Sequence, residues 1–204
     1  MIGLAAAIVF SVTALAAAAC AATAVSERCG VTVRLFAPVS LTVLIGSAAL
    51  ASYVAAGKLP AAAAVVVIAC ACCAVCAVCD AQTGYVFDAV TLPALGSIVL
   101  LSSLQNAATP ALTGMLLAAG ALFVLFAASH GRALGFGDVK LAAVLGAAMG
   151  SAEALPAIGL AFIAGGAHAA YLLLSRKAGR GDAMPFAPYL SGALFCMLLS
   201  RTTA

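Results

Sequence analysis

Residues 130–150 read "HGRALGFGDVKLAAVLGAAMG". Arg132, Asp138 and Lys140 stand directly against an unbroken apolar run, with Gly135 and Gly137 between them. An ionised carboxylate is costly in hydrocarbon, about 2.5–3.5 kcal/mol at the centre of a spanning helix on insertion scales. A sequence that keeps Asp138 at such a border needs a solvated boundary there, or a chemical reason for the acid.

Composition supplies the setting. Of 204 residues, 66% are hydrophobic, only 7% are charged, and tryptophan is absent. A soluble domain covers itself with about 25% charged residues, and this chain cannot. It therefore reads as an all-α integral membrane protein, a polytopic bundle of about eight transmembrane helices in a single membrane domain over 1–204. The apolar runs are continuous over about 20 residues, whereas the strands of a barrel alternate over about 10. The runs cover 2–25, 35–57, 60–79, 86–104, 109–129, 139–150, 154–175 and 186–201. The first has no basic leading region and is too long for a secretory signal, so a retained helix is expected. The sixth is short for a span; a tilted, re-entrant or Pro156-extended helix would accommodate it. A net charge of +3, dispersed along the chain, argues against a nucleic-acid partner and leaves membrane lipid as the surroundings.

The charges orient the bundle. Strict alternation from a cytoplasmic loop at 26–34 puts Arg28, Arg34, Arg132, Lys140, Arg176, Lys177 and Arg180 inside, and only Lys58 and Arg201 outside. That asymmetry follows the positive-inside bias. It also predicts that the loops 80–88, 130–140 and 176–185 share the cytoplasmic face, with both ends of the chain outside.

The acids fall into this pattern. Asp80 closes the third run in "CAVCDAQTGYVFDAVTLP", and Asp138 precedes the sixth. Two carboxylates sharing a proton can activate a water and protonate a leaving amine, the chemistry of an aspartic protease. The plainer reading makes each an interfacial acid, solvated or paired with Lys140 or Arg132. Neither Asp80 nor Asp138 has a basic residue four positions away, which weakens that reading for the pair.

"GFGDVKL" resembles the GxGDxKL signature of the type IV prepilin peptidases, a group of GxGD intramembrane aspartyl proteases. Upstream, Asp80, then Val86-Phe87-Asp88, then Thr91-Leu92-Pro93 resemble that family's first aspartate, Ile-Pro-Asn/Asp segment and Thr-Leu-Pro. "MPFAPYL", Met184 to Leu190, resembles its Pro-Phe-Gly-Pro-Phe-Leu segment. The resemblance spans 70–192, the expected catalytic core. Phe87 replaces the usual proline and Ala187 the usual glycine, while "AQTGY" replaces the basic residues that often follow the first aspartate.

The resemblance implies a multi-pass inner-membrane aspartic endopeptidase that removes the leader from prepilin or pseudopilin substrates at the cytoplasmic face, without a cofactor. Its implied catalytic pair is Asp80 and Asp138. Full-length members often carry a cytoplasmic region with two CxxC pairs associated with N-methylation. Between Ser26 and Arg34 stands only Cys29, so the resemblance implies a peptidase without that part. A non-enzymatic carrier, or an inactive relative in pilus assembly, is the competing class. A carrier would more often place its acids mid-helix than on boundary loops of one face.

Several supporting residues have two readings. Gly135 and Gly137 can take φ > 0 and admit a close backbone, so they could position an extended substrate beside Asp138; a plain turn is the alternative. Lys140 could tune Asp138 or snorkel to headgroups, and Asp88 could support the pair without belonging to it. The "CACCAVCAVC" run, Cys70 to Cys79, offers CxxC spacings but lies in one apolar helix, so packing is expected and no metal. His168 is expected to be neutral and hydrogen-bonded to a neighbouring helix. Helix polarity assigns unequal roles: Asp80 ends a helix and Asp138 begins one, so Asp138 is expected to be the more acidic and Asp80 to hold the shared proton.

Overall fold

The computed structural model describes residues 2–28, 30, 33–34, 44–45, 47–48, 60–177, 179 and 184–203. Cys29, Lys58, Arg180, Asp182 and most of the second apolar run lie outside the described residues. Among those described there are seven helices and no strand. They are α1 (Ile2–Arg28), α2 (Pro60–Thr83), α3 (Asp88–Leu104), α4 (Ala108–Ala128), α5 (Phe136–Met149), α6 (Ser151–Leu174) and α7 (Ala187–Thr203). By length and composition, three stretches can each cross a membrane: Ala62–Thr83, Ala108–Ala128 and Ser151–Leu174. The chain is a helical membrane protein.

α2 and α5 form the interior. Every residue from Ala69 to Asp80 is buried, and so are Asp138, Val139 and Leu141 to Ala147. α2 packs against α1, α3, α5 and α7, while α5 packs against α2, α3, α4, α6 and α7. The two helices most enclosed by protein are thus the two that carry Asp80 and Asp138. The cysteines of α2 serve this packing: Cys70, Cys72, Cys73, Cys76 and Cys79 are all buried. Small polarisable side chains allow neighbours to approach on every side.

α5 owes its shortness to glycine. At 1.5 Å per residue its 14 residues reach about 21 Å, less than the ~30 Å hydrocarbon layer. It ends at Gly150, with φ 80° and ψ 175°, and α6 starts at the next residue. The extension through Pro156 does not occur: Gly150 breaks the helix, and Pro156 belongs to α6. α5 is held from the side instead. A Cβ on Gly114 would lie 2.3 Å from the Gly146 carbonyl oxygen, and one on Gly146 would lie 2.2 Å from that of Gly114. α4 and α5 therefore cross backbone to backbone, which only glycine permits.

Both ends of the bundle are tied by polar contacts. At one end Arg201 Nε bonds both oxygens of Glu153 at 2.8 and 2.7 Å, and its Nη2 bonds the Met149 carbonyl at 2.7 Å. That anchors the last turn of α5 to the start of α6 and the end of α7, far from Asp80 and Asp138. At the other end residues of 26–34, 80–88 and 130–140 meet, and the start of α7 joins them. Gln82 pairs its side-chain amide with the Arg34 backbone, Lys140 reaches Asp88, and Ala187 reaches Asp80.

Candidate active site

Asp80 sits in the last turn of α2, which ends at Thr83. Gly84, at φ 70°, closes that helix by donating its N–H to the Asp80 carbonyl at 2.8 Å. Asp80 is 7% exposed. Its Oδ2 accepts the backbone N–H of Ala187 at 3.0 Å, at the first residue of α7. The N-terminal N–H groups of a helix lack intrahelical partners, so a buried carboxylate there is well matched.

Asp138 is the third residue of α5, with Gly135 as the residue that caps it. Its N–H donates to the Gly135 carbonyl at 3.1 Å, and its Oδ2 accepts the Gly135 N–H at 3.3 Å. The acid thereby closes the first turn in the manner of a capping box. Asp138 is 8% exposed, and its Oδ1 is buried with no hydrogen-bond partner among the described residues. Such an oxygen costs about 1–3 kcal/mol unless something uses it.

Asp138 lies ahead of the apolar stretch of α5 and outside the three spans. Burial in the first place, and the Asp80 charge in the second, push its carboxyl up to about 7, against the lowering effect of the Gly135 N–H. The charge of Asp80 thus acts on Asp138, as an unfavourable like charge does on a neighbouring carboxyl. The helix-end argument for unequal acids meets two further influences: both carboxylates are buried, and α7 delivers an amide to Asp80.

The two glycines flank Phe136 at the start of α5. Neither Gly135 nor Gly137 has a positive φ, and Gly135 is extended at φ −77° and ψ 148°. Gly137 is sterically required all the same, because a Cβ there would lie 2.8 Å from Val86 Cβ. The space a Cβ of Gly137 would take is filled by Val86 of the chain's own loop. A Cβ on Gly135 would meet Asp138 Oδ2 at 3.4 Å and the Gly137 backbone nitrogen at 4.0 Å, both ordinary contacts.

Lys140 does not touch Asp138. Its Nζ bonds Asp88 Oδ1 and Oδ2 at 2.6 and 2.8 Å and lies 5.0 Å from the Phe136 ring centroid. Asp88 opens α3, so this ion pair ties the first turns of α3 and α5 together. His168 bonds a neighbouring helix as expected, its Nδ1 meeting the Tyr189 hydroxyl of α7.

The Ala187 donor had no reading in the sequence. A backbone N–H has no side-chain signature. The available signal was Pro185 and Pro188 bracketing Phe186-Ala187, since proline is favoured in the first turn of helices and so marks a start with free N–H groups. The substitution of alanine for glycine at 187 is harmless to this contact. The bond comes from the main chain, and the buried methyl group is accommodated.

Fold and site together define a class: a helical membrane protein with two buried carboxylates brought together at one end of its bundle. Residues 67–170 match the type IV leader peptidase family. Over 157 residues the chain is 36% identical to the prepilin leader peptidase/N-methyltransferase of Burkholderia pseudomallei strain 1026b, covering 72% of this chain and 50% of that protein. The protein of the same name from strain K96243 matches with the same figures. The chain spans about half the length of these curated relatives. No solved structure matches it. The chain belongs to the type IV leader peptidase family.

Proposed function

We propose that the protein is an aspartic endopeptidase that cleaves the leader from type IV prepilin or pseudopilin proteins. Asp80 and Asp138 are the catalytic pair in this reading, within a core over 70–192. The observation that carries it is a pair of carboxylates buried on the two innermost helices, one of them leaving an oxygen without a partner among the described residues. Two interfacial acids with a merely structural role would be neutralised by neighbours. Instead, the nearby cation Lys140 is engaged by Asp88.

The hydrogen bonding favours a division of labour. Asp80, bonded by the Ala187 N–H, is the ionised member and takes a proton from the attacking water. Asp138 holds the shared proton and gives it to the scissile carbonyl oxygen. The resulting tetrahedral diol collapses when the peptide nitrogen receives a proton from Asp80, breaking the C–N bond and releasing leader and mature protein. As the carbonyl re-forms, a diol hydroxyl returns its proton to Asp138, and the pair is monoprotonated again.

In the same reading eight helices span the inner membrane, with 26–34, 80–88, 130–140 and 176–185 on the cytoplasmic face. The meeting of Arg34, Gln82, Asp88, Lys140 and Ala187 at one end supports it. Co-expression with a prepilin encoded nearby tests the function. Leader removal that depends on Asp80 and Asp138 is expected; an uncleaved prepilin beside a well-inserted protein would refute the reading.

A further inference from the structure

The amide that meets Asp80 is held in place by a helix that never touches Asp80. Ala187 is flanked by Phe186 and followed two residues later by Tyr189, and both rings lie on α6. A Cβ on Gly165 would meet Phe186 Cε2 at 3.3 Å and Tyr189 Cδ2 at 3.4 Å, so glycine provides a flat seat for the two rings. Phe162, one turn earlier, packs against Phe186 in a tilted pair with ring centroids 4.9 Å apart. His168, one turn later, meets the Tyr189 ring edge-on at 5.9 Å and hydrogen-bonds its hydroxyl. Positions 162, 165 and 168 recur at helical spacing and form one stripe.

The aromatic seat fixes how near α7 comes to α6. The hydroxyl–imidazole bond adds direction, since it holds Tyr189 at one rotation about the axis of α7. That rotation also sets where the Ala187 N–H points, because Ala187 and Tyr189 belong to the same first turn. The Phe186 carbonyl accepts the Tyr189 N–H at 3.0 Å, making the turn one unit. The Tyr189 hydroxyl also lies 3.8 Å from Met184 Sδ, on the approach to that turn.

We propose that His168, acting through Tyr189, is a positioning residue for Asp80: it aligns the first turn of α7 so that the Ala187 N–H stays on the carboxylate during turnover. This rests on the reading of Asp80 as one of the two reacting acids. His168 neither touches the peptide nor exchanges a proton with it.

The test is steady-state cleavage of a prepilin by Tyr189→Phe, His168→Leu and His168→Asn, with Asp80→Asn alongside and the membrane-inserted amount of each variant measured. Tyr189→Phe removes one hydroxyl from a ring that keeps its seat, so it inserts normally. It and His168→Leu should each lower kcat by about tenfold with KM unchanged, as expected for a slightly misaligned group. The double variant should be no worse than either single one. His168→Asn, which keeps a hydrogen-bonding atom near the Nδ1 position, should recover most of the loss. Wild-type kcat in both single variants, a loss confined to KM, or losses that multiply would each overturn the proposal. Asp80→Asn separates the two readings. Full activity there removes the two-carboxylate mechanism itself, whereas its inactivity beside an unimpaired Tyr189→Phe removes only the role of His168.

Discussion

Lys140 grips both carboxylate oxygens of Asp88, at 2.6 and 2.8 Å, and so binds the start of α5 to the start of α3. The acid it neutralises is the exposed one. Asp88 has a side-chain exposure of 54% and Lys140 one of 25%, a range in which an ion pair contributes about 0.2–1 kcal/mol. Asp88→Asn should therefore lower leader cleavage by no more than about fivefold, on the energy scale of such pairs. Asp80→Asn and Asp138→Asn should each abolish it in protein that still inserts. Equal losses at all three positions would bring Asp88 into the reacting pair.

The rate should fall on the alkaline side. Burial and the neighbouring Asp80 charge push the Asp138 carboxyl up to about 7, and the proposed mechanism needs its proton. A raised carboxyl pKa means the proton is held well above the usual carboxylate range and lost as pH rises past about 7. A pH profile of kcat should show that limb as a property of the pair, since coupled acids titrate together. A rate that stayed level from pH 6 to roughly pH 9 would contradict the assignment of the proton to Asp138.

Gly137→Ala should impair the enzyme where Gly135→Ala does not. The new methyl at 137 would meet Val86 Cβ at 2.8 Å, and overpacking of this kind costs about 1–3 kcal/mol. Removing the opposing carbon with Val86→Gly should recover part of the loss in the double variant. If Val86→Gly brings no recovery, Gly137 has another duty than close packing against the loop.

Cysteine labelling should find residues 132 and 177 on the same side of the membrane as 82 and opposite residue 153. Arg132 and Lys177 are exposed in the structure, so both sites are open to reagent. Labelling of 132 and 177 from opposite sides would dismantle the proposed eight-span arrangement.

Much of this was legible in the sequence because hydrocarbon imposes simple rules. Long apolar runs had to be helices, and the polar borders had to be loops. Alternation of those loops then brought the acids of 80, 88 and 138 to one end. The short run 139–150 was visible, but the reason for it was not. The sequence does not say that α5 lies inside the protein, where a helix need not match the bilayer.

Side-chain partnerships were least legible. Helices apolar on every side mark no inner face, so nothing distinguished Asp88 from Asp138 as the partner of Lys140. Gly137 was recognisable as a close-approach residue, yet whether it approached Val86 or a foreign backbone was a question of tertiary packing. The Ala187 donor belongs to the main chain and is common to every residue but proline. Only its place at a helix start distinguishes it.

That place has a consequence in time. Residue 80 receives its hydrogen bond from residue 187, and the ribosome makes them 107 residues apart. A nascent chain exposes both acids long before the amide exists, so in the proposed reading cleavage should begin only once α7 is in place. A chain stopped after residue 180 should insert and remain silent, and supplying 181–204 as a separate polypeptide should awaken it. Cleavage by the truncated chain alone would show that the site is complete without its last helix.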